Sequence, residues 1–377
     1  MACVAIAIGF FILGTRAYLL PTPFSKSTSP SQLDFSSLNE LYSLLKSKYD
    51  GTLDTTKLID GAKHGMVDAI GDPYTVYLNA DEAKAFSGDL NGTFQGIGAE
   101  LGKTNGQLTV LSVLADSPAE KAGLQKNDSI LKINGEDTSA MTIGSAVTKI
   151  RGDKGTSIKL TILRGETMKE YSITRDTITS PSVTTEILDG NVGYMRIARF
   201  GDDTSSLAKK AADSFKAQGV TKVILDLRGN GGGLLTAAQS VSSLWLKDKV
   251  VVSERTAGVT TDTLRSQGDG TLVGIPTVVL VDGDSASASE IVAGALKDNG
   301  AATLLGEKTF GKGSVQVIED LTNGGALKVT IAKWYTPNGV NINKEGIAPD
   351  KEVKQSDEDT KAGKDTQKNA ALELLRK

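Results

Sequence analysis

The sequence predicts an α/β fold preceded by a β-rich module and a helical N-terminal region, and three observations carry that reading. Beyond Pro181, short apolar runs of strand character alternate with segments of helical spacing, as in a parallel or mixed sheet with crossover helices. Between Asn91 and Asp176 the chain instead shows short β-type runs separated by turn residues. Residues 34–86 place their apolar side chains at helical intervals. A chain of 377 residues has room for two or three domains.

The first twenty residues are mostly apolar, with Arg16 as their one charge. Residues 1–20 are therefore expected to be a signal or membrane-anchor segment, and the protein to work outside the cytoplasm, anchored or secreted. Residues 21–33, rich in Pro, Ser and Thr, have the composition of a linker. In the helical region, residues 34–90, Leu38, Leu41, Tyr42 and Leu45 share one helix face, and Ser37 with Glu40 suggests a capping box. Ile59, Ala62, Met66, Ala69 and Ile70 repeat the pattern until Gly71-Asp72-Pro73 stops it.

Residues 91–178 form the β-rich module. Segments 108–113, 129–133 and 157–163 are strand-like, while 116–124 and 142–150 read as helices. In residues 179–350, segments 221–227, 276–281 and 303–305 read as strands. Helical spacing follows the first through Leu234, Ala237, Ala238, Val241, Leu244 and Trp245, and the second through Ile291, Val292, Ala295 and Leu296. Asn323-Gly324-Gly325 before the alternating Leu327, Val329 and Ile331 suggests a hairpin. Residues 351–377 are strongly charged and expected at the periphery.

Composition narrows the chemistry. Lys and Arg total 42 against 45 Asp and Glu, so no broad basic field exists and nucleic acid is not an expected partner. The single cysteine, Cys3, excludes an intrachain disulfide and a multi-cysteine metal site. Any Ser-His-Asp or Cys-His arrangement would have to use the single histidine, His64, which falls on the polar side of its helix and reads as solvated. No metal or organic cofactor is implied.

Three loops hold residues suited to chemistry. In Ser285-Ala286-Ser287-Ala288-Ser289-Glu290, at a strand-to-helix junction, helix capping alone accounts for small residues and serines. A serine held beside helix N-terminal amides also suits a nucleophile whose reaction creates an oxyanion. Asp226-Leu227-Arg228-Gly229-Asn230-Gly231-Gly232-Gly233 is neither a P-loop nor a complete dinucleotide fingerprint. It can pack tightly, or turn its backbone N–H groups toward Ser287, because neighbouring strand ends meet at one sheet edge. Lys312, flanked by Gly311 and Gly313, has the setting of a surface lysine, yet a lysine in a dry site gives up its proton and can serve as a base. With His64 on a polar face, Lys312 is the strongest candidate partner for Ser287.

Five motifs in order now resemble the carboxy-terminal processing peptidases, or tail-specific proteases. They are Asp72-Pro73-Tyr74-Thr75-Val76-Tyr77-Leu78, the glycine loop from Asp226, the serine run from Ser285, the segment from Gly306 through Lys312 to Gln316, and Gly346-Ile347-Ala348-Pro349-Asp350. The resemblance spans residues 35–375. It implies a crotonase-like protease core with a PDZ domain before it, and serine endopeptidase activity on accessible, apolar C-terminal regions of polypeptides. Ser287 is then the nucleophile, Lys312 the general base and Gln316 its assistant. Backbone amides of Ala288 and of Gly232 or Gly233 are expected to form the oxyanion hole, both glycines remaining candidates.

The resemblance places the PDZ domain at residues 91–178. There Gly96, Ile97, Gly98 and Ala99 would offer amides to a peptide's terminal carboxylate, the peptide adding as a strand. Arg151 is a candidate bridge to the catalytic domain, or an ordinary surface charge. Expected partners are polypeptides with free apolar C-termini and, through residues 1–20, a membrane; a homo-oligomer is compatible with the sequence. Two rival classes stay open, a non-catalytic adaptor that captures C-termini and a crotonase-type acyl-CoA enzyme.

Overall fold

The computed structural model describes residues 33–376 apart from 105, 323, 357, 360 and 361. The apolar segment 1–20, Cys3, linker residues 21–32 and the turn residue Asn323 lie outside the described residues. Among the described residues no helix is long and apolar enough to cross a membrane. The chain divides into two compact units, residues 1–59 and 60–377.

In the first unit, the helix Ser36–Lys48 starts where Asp34 Oδ1 accepts the Ser36 amide at 2.8 Å, not at the expected Ser37–Glu40 box. Leu38, Leu41 and Tyr42 follow the expected spacing but are exposed. In the second unit the expected helical region is interrupted. Val76–Leu78 is a strand, because β-formers after a Gly-Asp-Pro stop find a partner in the strand Ala326–Tyr335, with Val76 opposite Lys328. The helix Ala80–Leu90 follows, opened by a capping box in which Asn79 Oδ1 accepts the Asp81 and Glu82 amides and Glu82 Oε2 accepts the Asn79 amide.

A six-stranded mixed sheet forms the centre of the second unit. Its order is Val183–Leu188, Val192–Ile197, Lys222–Asp226, Thr277–Val281, Thr303–Gly306 and Lys351–Glu352, antiparallel in the first pair and parallel thereafter. The central strands have apolar middles, Val223–Leu225 and Val278–Val281, because both faces are covered. Val223, Leu225, Val279 and Val281 meet the helices Thr204–Ala217, Leu235–Ser242 and Ala288–Asp298 on one face. Ile224, Val278 and Leu280 meet Ala371 and Leu375 of the helix Thr366–Arg376 on the other. The charged C-terminal segment is therefore not peripheral: it supplies the last strand and a covering helix.

A second, antiparallel sheet holds the expected hairpin, Ser314–Asp320 with Ala326–Tyr335. Its apolar alternation is misleading, because Ile331 is exposed while Ala326, Ala332 and Trp334 are buried. The inward face thus includes Lys328 and Thr330, polar because part of it walls a cavity rather than a core.

The β-rich module has its own core of Leu108, Val110, Ile130, Ile133, Ile158, Leu160, Ile162 and Ile173. The strands Gln107–Val113, Ser129–Ile133 and Ser157–Arg164 agree with the expected ones, and Thr142 caps the helix Ile143–Ile150 by accepting the Ser145 amide. The expected helix at 116–124 is only the single turn Pro118–Lys121. Thr93–Gly96 and Asp176–Thr179 pair where the module joins the rest of the chain.

Candidate active site

Ser287 stands at the junction between the strand Thr277–Val281 and the helix Ala288–Asp298, with φ 53° and ψ −112°. A non-glycine residue in that region stores about 1–3 kcal/mol of strain and persists only where its surroundings enforce it. The same strained strand-to-helix turn lifts a nucleophile clear of its own backbone. The flanking serines face elsewhere. Ser285 Oγ donates to Leu227 O at 2.9 Å, Ser289 Oγ donates to Asn230 O at 2.8 Å, and both side chains are fully buried. Ser287 alone of the three lines a cavity of about 360 Å³, which Lys312 also lines.

The glycine loop lies against this turn. A Cβ on Gly232 would come within 2.8 Å of Ser287 Cβ, and Gly232 sits at φ 104°. Asn230 locks the loop: Nδ2 donates to Ile197 O at 2.8 Å, Oδ1 accepts the Gly232 amide at 2.9 Å, and its carbonyl accepts the Ala286 amide and the Ser289 hydroxyl. The Gly232 amide is thus already engaged. Gly233 forms a parallel bridge with Phe200, in which Gly232 O accepts and Leu234 N donates. The Gly233 amide points away from that bridge and has no hydrogen-bond partner among the described residues.

A residue without an assigned role in the sequence joins Ser287 to the Lys312 loop. Glu290 is fully buried, and its carboxylate accepts four hydrogen bonds. Oε2 takes the amides of Ser287 at 2.8 Å and Lys312 at 2.9 Å; Oε1 takes the Gly311 amide at 2.8 Å and the Thr309 hydroxyl. The buried charge is tolerable because all four donors converge on it. Its signal is legible in Ser287-Ala288-Ser289-Glu290, the Ser-x-x-Glu spacing of a capping box.

Lys312 is half-buried, with its Nζ 5.1 Å from the centre of the Tyr74 ring. Burial pushes its pKa below the usual lysine range and repulsion from Lys328 adds to this, while Glu290 and Asp72 pull the other way. Asp72 belongs to the first motif, whose place at the site the sequence did not reveal. Its carboxylate accepts the Thr75 hydroxyl at 2.7 Å and the Tyr74 amide at 3.1 Å. No hydrogen bond joins Lys312 to Ser287. Gln316 also lines the cavity, but its amide donates to Ser314 Oγ at 2.7 Å and none of its hydrogen bonds reaches Lys312.

Other candidates fall as follows. His64 pairs with Glu82 at 3.5 Å and meets the Tyr77 ring edge-on; it does not line the cavity that holds Ser287. In the module loop, Gly96 ends a strand, Ile97 is buried in the core, and the Ile97 and Gly98 amides have no partner among the described residues. Ala99 begins the next strand, opposite Val113. The Gly98 Cβ direction leads not to open space but to Ser117, 2.4 Å away, at φ 79°. Arg151 is an exposed bridge, paired with Asp89 at 3.3 Å and packed over Phe94. Asp89 lies on the helix Ala80–Leu90, which lines that cavity with Phe86 and Leu90.

Residues 191–353 match Peptidase family S41, residues 109–164 match the PDZ domain, and residues 22–82 match the activating protease CtpB N-terminal domain. Over 350 residues the chain is 39% identical to the carboxy-terminal processing protease CtpA of Bacillus subtilis (strain 168), covering 92% of this chain and 74% of that protein. It is 37% identical to CtpB of the same organism over 331 residues, covering 85% of this chain and 68% of that protein. Among solved structures it is similar to a photosystem II D1 C-terminal processing protease, with 29% identity, a TM-score of 0.54, and coverage of 85% of this chain and 87% of that one. The chain therefore belongs to the carboxy-terminal processing proteases, serine-type peptidases of family S41 that carry a PDZ domain.

Proposed function

We propose that this protease cuts accessible, apolar C-terminal regions of polypeptides through an acyl-enzyme, with Ser287 as nucleophile and Lys312 as general base. The observation that carries the reading is the cavity that Ser287 shares with Lys312, from which Ser285 and Ser289 are turned away. Neutral Lys312 takes the hydroxyl proton as Ser287 Oγ attacks the scissile carbonyl. The amides of Ala288 and Gly233 receive the developing oxyanion, since the Gly232 amide is held by Asn230. The lysine proton passes to the leaving amine, and a water deprotonated by Lys312 then hydrolyses the ester. Gln316, which lines the same cavity, is the residue that would assist Lys312, and its amide rests on Ser314 Oγ.

The apolar preference follows from Leu234, Leu235, Ile291 and Trp334, which line the cavity beside the serine. The PDZ loop presents the Ile97 and Gly98 amides to the substrate's terminal carboxylate. We place the protein outside the cytoplasm, tethered or secreted through residues 1–20. Residues 33–377, incubated with a model protein carrying an apolar tail, should trim it, and mass spectrometry should locate the cuts. Ser287→Ala should bind the tail and leave it whole, and an amidated tail should be cut more slowly. Cleavage by Ser287→Ala at the wild-type rate would refute the assignment.

A further inference from the structure

The catalytic cavity holds a second lysine that the mechanism above does not use. Lys328 lies on the inward face of the strand Ala326–Tyr335, opposite Ile318 and Val76 in the two neighbouring strands. It lines the same cavity as Ser287 and Lys312. Neither lysine has a carboxylate within ion-pair distance among the described residues; instead each amine rests near an aromatic ring, Lys312 near Tyr74 and Lys328 at 5.5 Å from Phe86. Two half-buried ammonium groups in one small cavity disfavour each other, and the one that is harder to keep charged gives up its proton.

We propose that Lys328 is a positioning residue for the reaction, whose fixed positive charge keeps Lys312 in the neutral form that can accept the Ser287 proton. The inference rests on Lys312 being the base. Three charged groups act on Lys312: Glu290 and Asp72 favour its charged form, and Lys328 opposes them. Burial lowers the pKa of Lys328 as well, while Asp72 favours its ammonium. Asp72 is held below the usual carboxylate range: burial raises its pKa, but hydrogen bonds from Thr330, Thr75 and Tyr74 and the Lys312 charge outweigh this. With Lys312 as the base that must lose its proton, Lys328 is the member of the pair left to carry the charge.

The test measures labelling of Ser287 by a fluorophosphonate as a function of pH, in wild type, Lys328→Met, Lys328→Arg and Lys312→Met, each checked for an unchanged unfolding temperature. Removing a like charge makes the base harder to deprotonate, so Lys328→Met should label about tenfold more slowly at neutral pH and regain the wild-type rate at high pH. Lys328→Arg, which keeps the charge, should follow the wild-type profile. An unmoved profile in Lys328→Met would overturn the proposal, including the case in which only the KM for free-acid peptides rises, which would make Lys328 a carboxylate-binding group. A rising limb that survives in Lys312→Met would instead refute Lys312 as the base.

Discussion

Replacing Glu290 with Gln preserves volume and removes one charge from the most densely hydrogen-bonded side chain near Ser287. The carboxylate accepts from Ser287 N and Lys312 N at one oxygen, and from Gly311 N and the Thr309 hydroxyl at the other. Turned toward Gly311 and Thr309, the NH₂ end faces one obligate donor, the Gly311 amide, because the Thr309 hydroxyl can rotate to accept. At least one charge-assisted hydrogen bond of about 1.5–3 kcal/mol is lost, and the others lose their charge assistance. Part of this appears as stability; a share of ~1.5 kcal/mol, released by relaxing Ser287 from its strained φ, corresponds to about tenfold in kcat. The assay is kcat and KM on an apolar peptide across pH, with thermal unfolding alongside. Glu290 also favours the charged form of Lys312, so its loss lowers the lysine pKa and moves the rising limb of the rate to lower pH, while the plateau falls. A Glu290→Gln enzyme with kcat within about threefold of wild type and an unmoved unfolding temperature would refute this account.

Ser289→Ala loses one buried hydrogen bond to a loop carbonyl and should lower the unfolding free energy by about 1 kcal/mol; Ser285→Ala, which loses its bonds to Leu227 O and to Asp282, should lower it further, and both should keep measurable peptide turnover. His64→Ala should keep kcat near wild type, whereas Lys312→Arg should be inactive because guanidinium cannot accept a proton; in wild type, activity should rise as the depressed lysine deprotonates, below the ordinary lysine range. Gly98→Ala should destabilise the PDZ domain, seen by limited proteolysis, and slow cleavage of free-acid and amidated tails alike, since its Cβ meets Ser117; Gly96→Ala, with 3.7 Å to Phe94, should be tolerated. Asp365→Asn should loosen the C-terminal helix from Arg228, which Asp365 holds through two bonds of 2.9 Å, and a hydrogen-exchange increase at residues 366–376 would report it.

The sequence revealed the parts of the fold whose pattern is local. The sheet core was legible because Val223 to Leu225 and Val278 to Val281 are buried on both faces and so uniformly apolar. The strand Val76–Leu78 was not, since its stability comes from a partner far along the chain rather than from its own three residues. Leu327, Val329 and Ile331 announced a strand without telling its faces apart, because a polar cavity wall and an exposed surface look alike in an alternation pattern. The reactive loops were visible as Gly-rich or Ser-rich junctions. Glu290 was visible only through its capping-box spacing from Ser287, and Lys328 only as a surface-type residue; that both lie beside the serine is a property of the fold alone.

The pairing of Val76 with Lys328 bears on when the protease becomes active during its own synthesis. Tyr74, which shields the Lys312 amine, precedes a strand whose partner follows about 250 residues later. At translation rates of about 5–20 residues per second, that separation corresponds to some 10–50 s during which the first piece of the site waits for its last. The PDZ domain lies between them and is closed at its stem by a hydrogen bond from Ser180 N to Gly92 O, so it can fold first as a finished unit. Until the strand Ala326–Tyr335 emerges, Lys312 has neither its aromatic shield nor its neighbouring lysine. On the proposed mechanism the nascent chain is therefore inert until that strand has emerged.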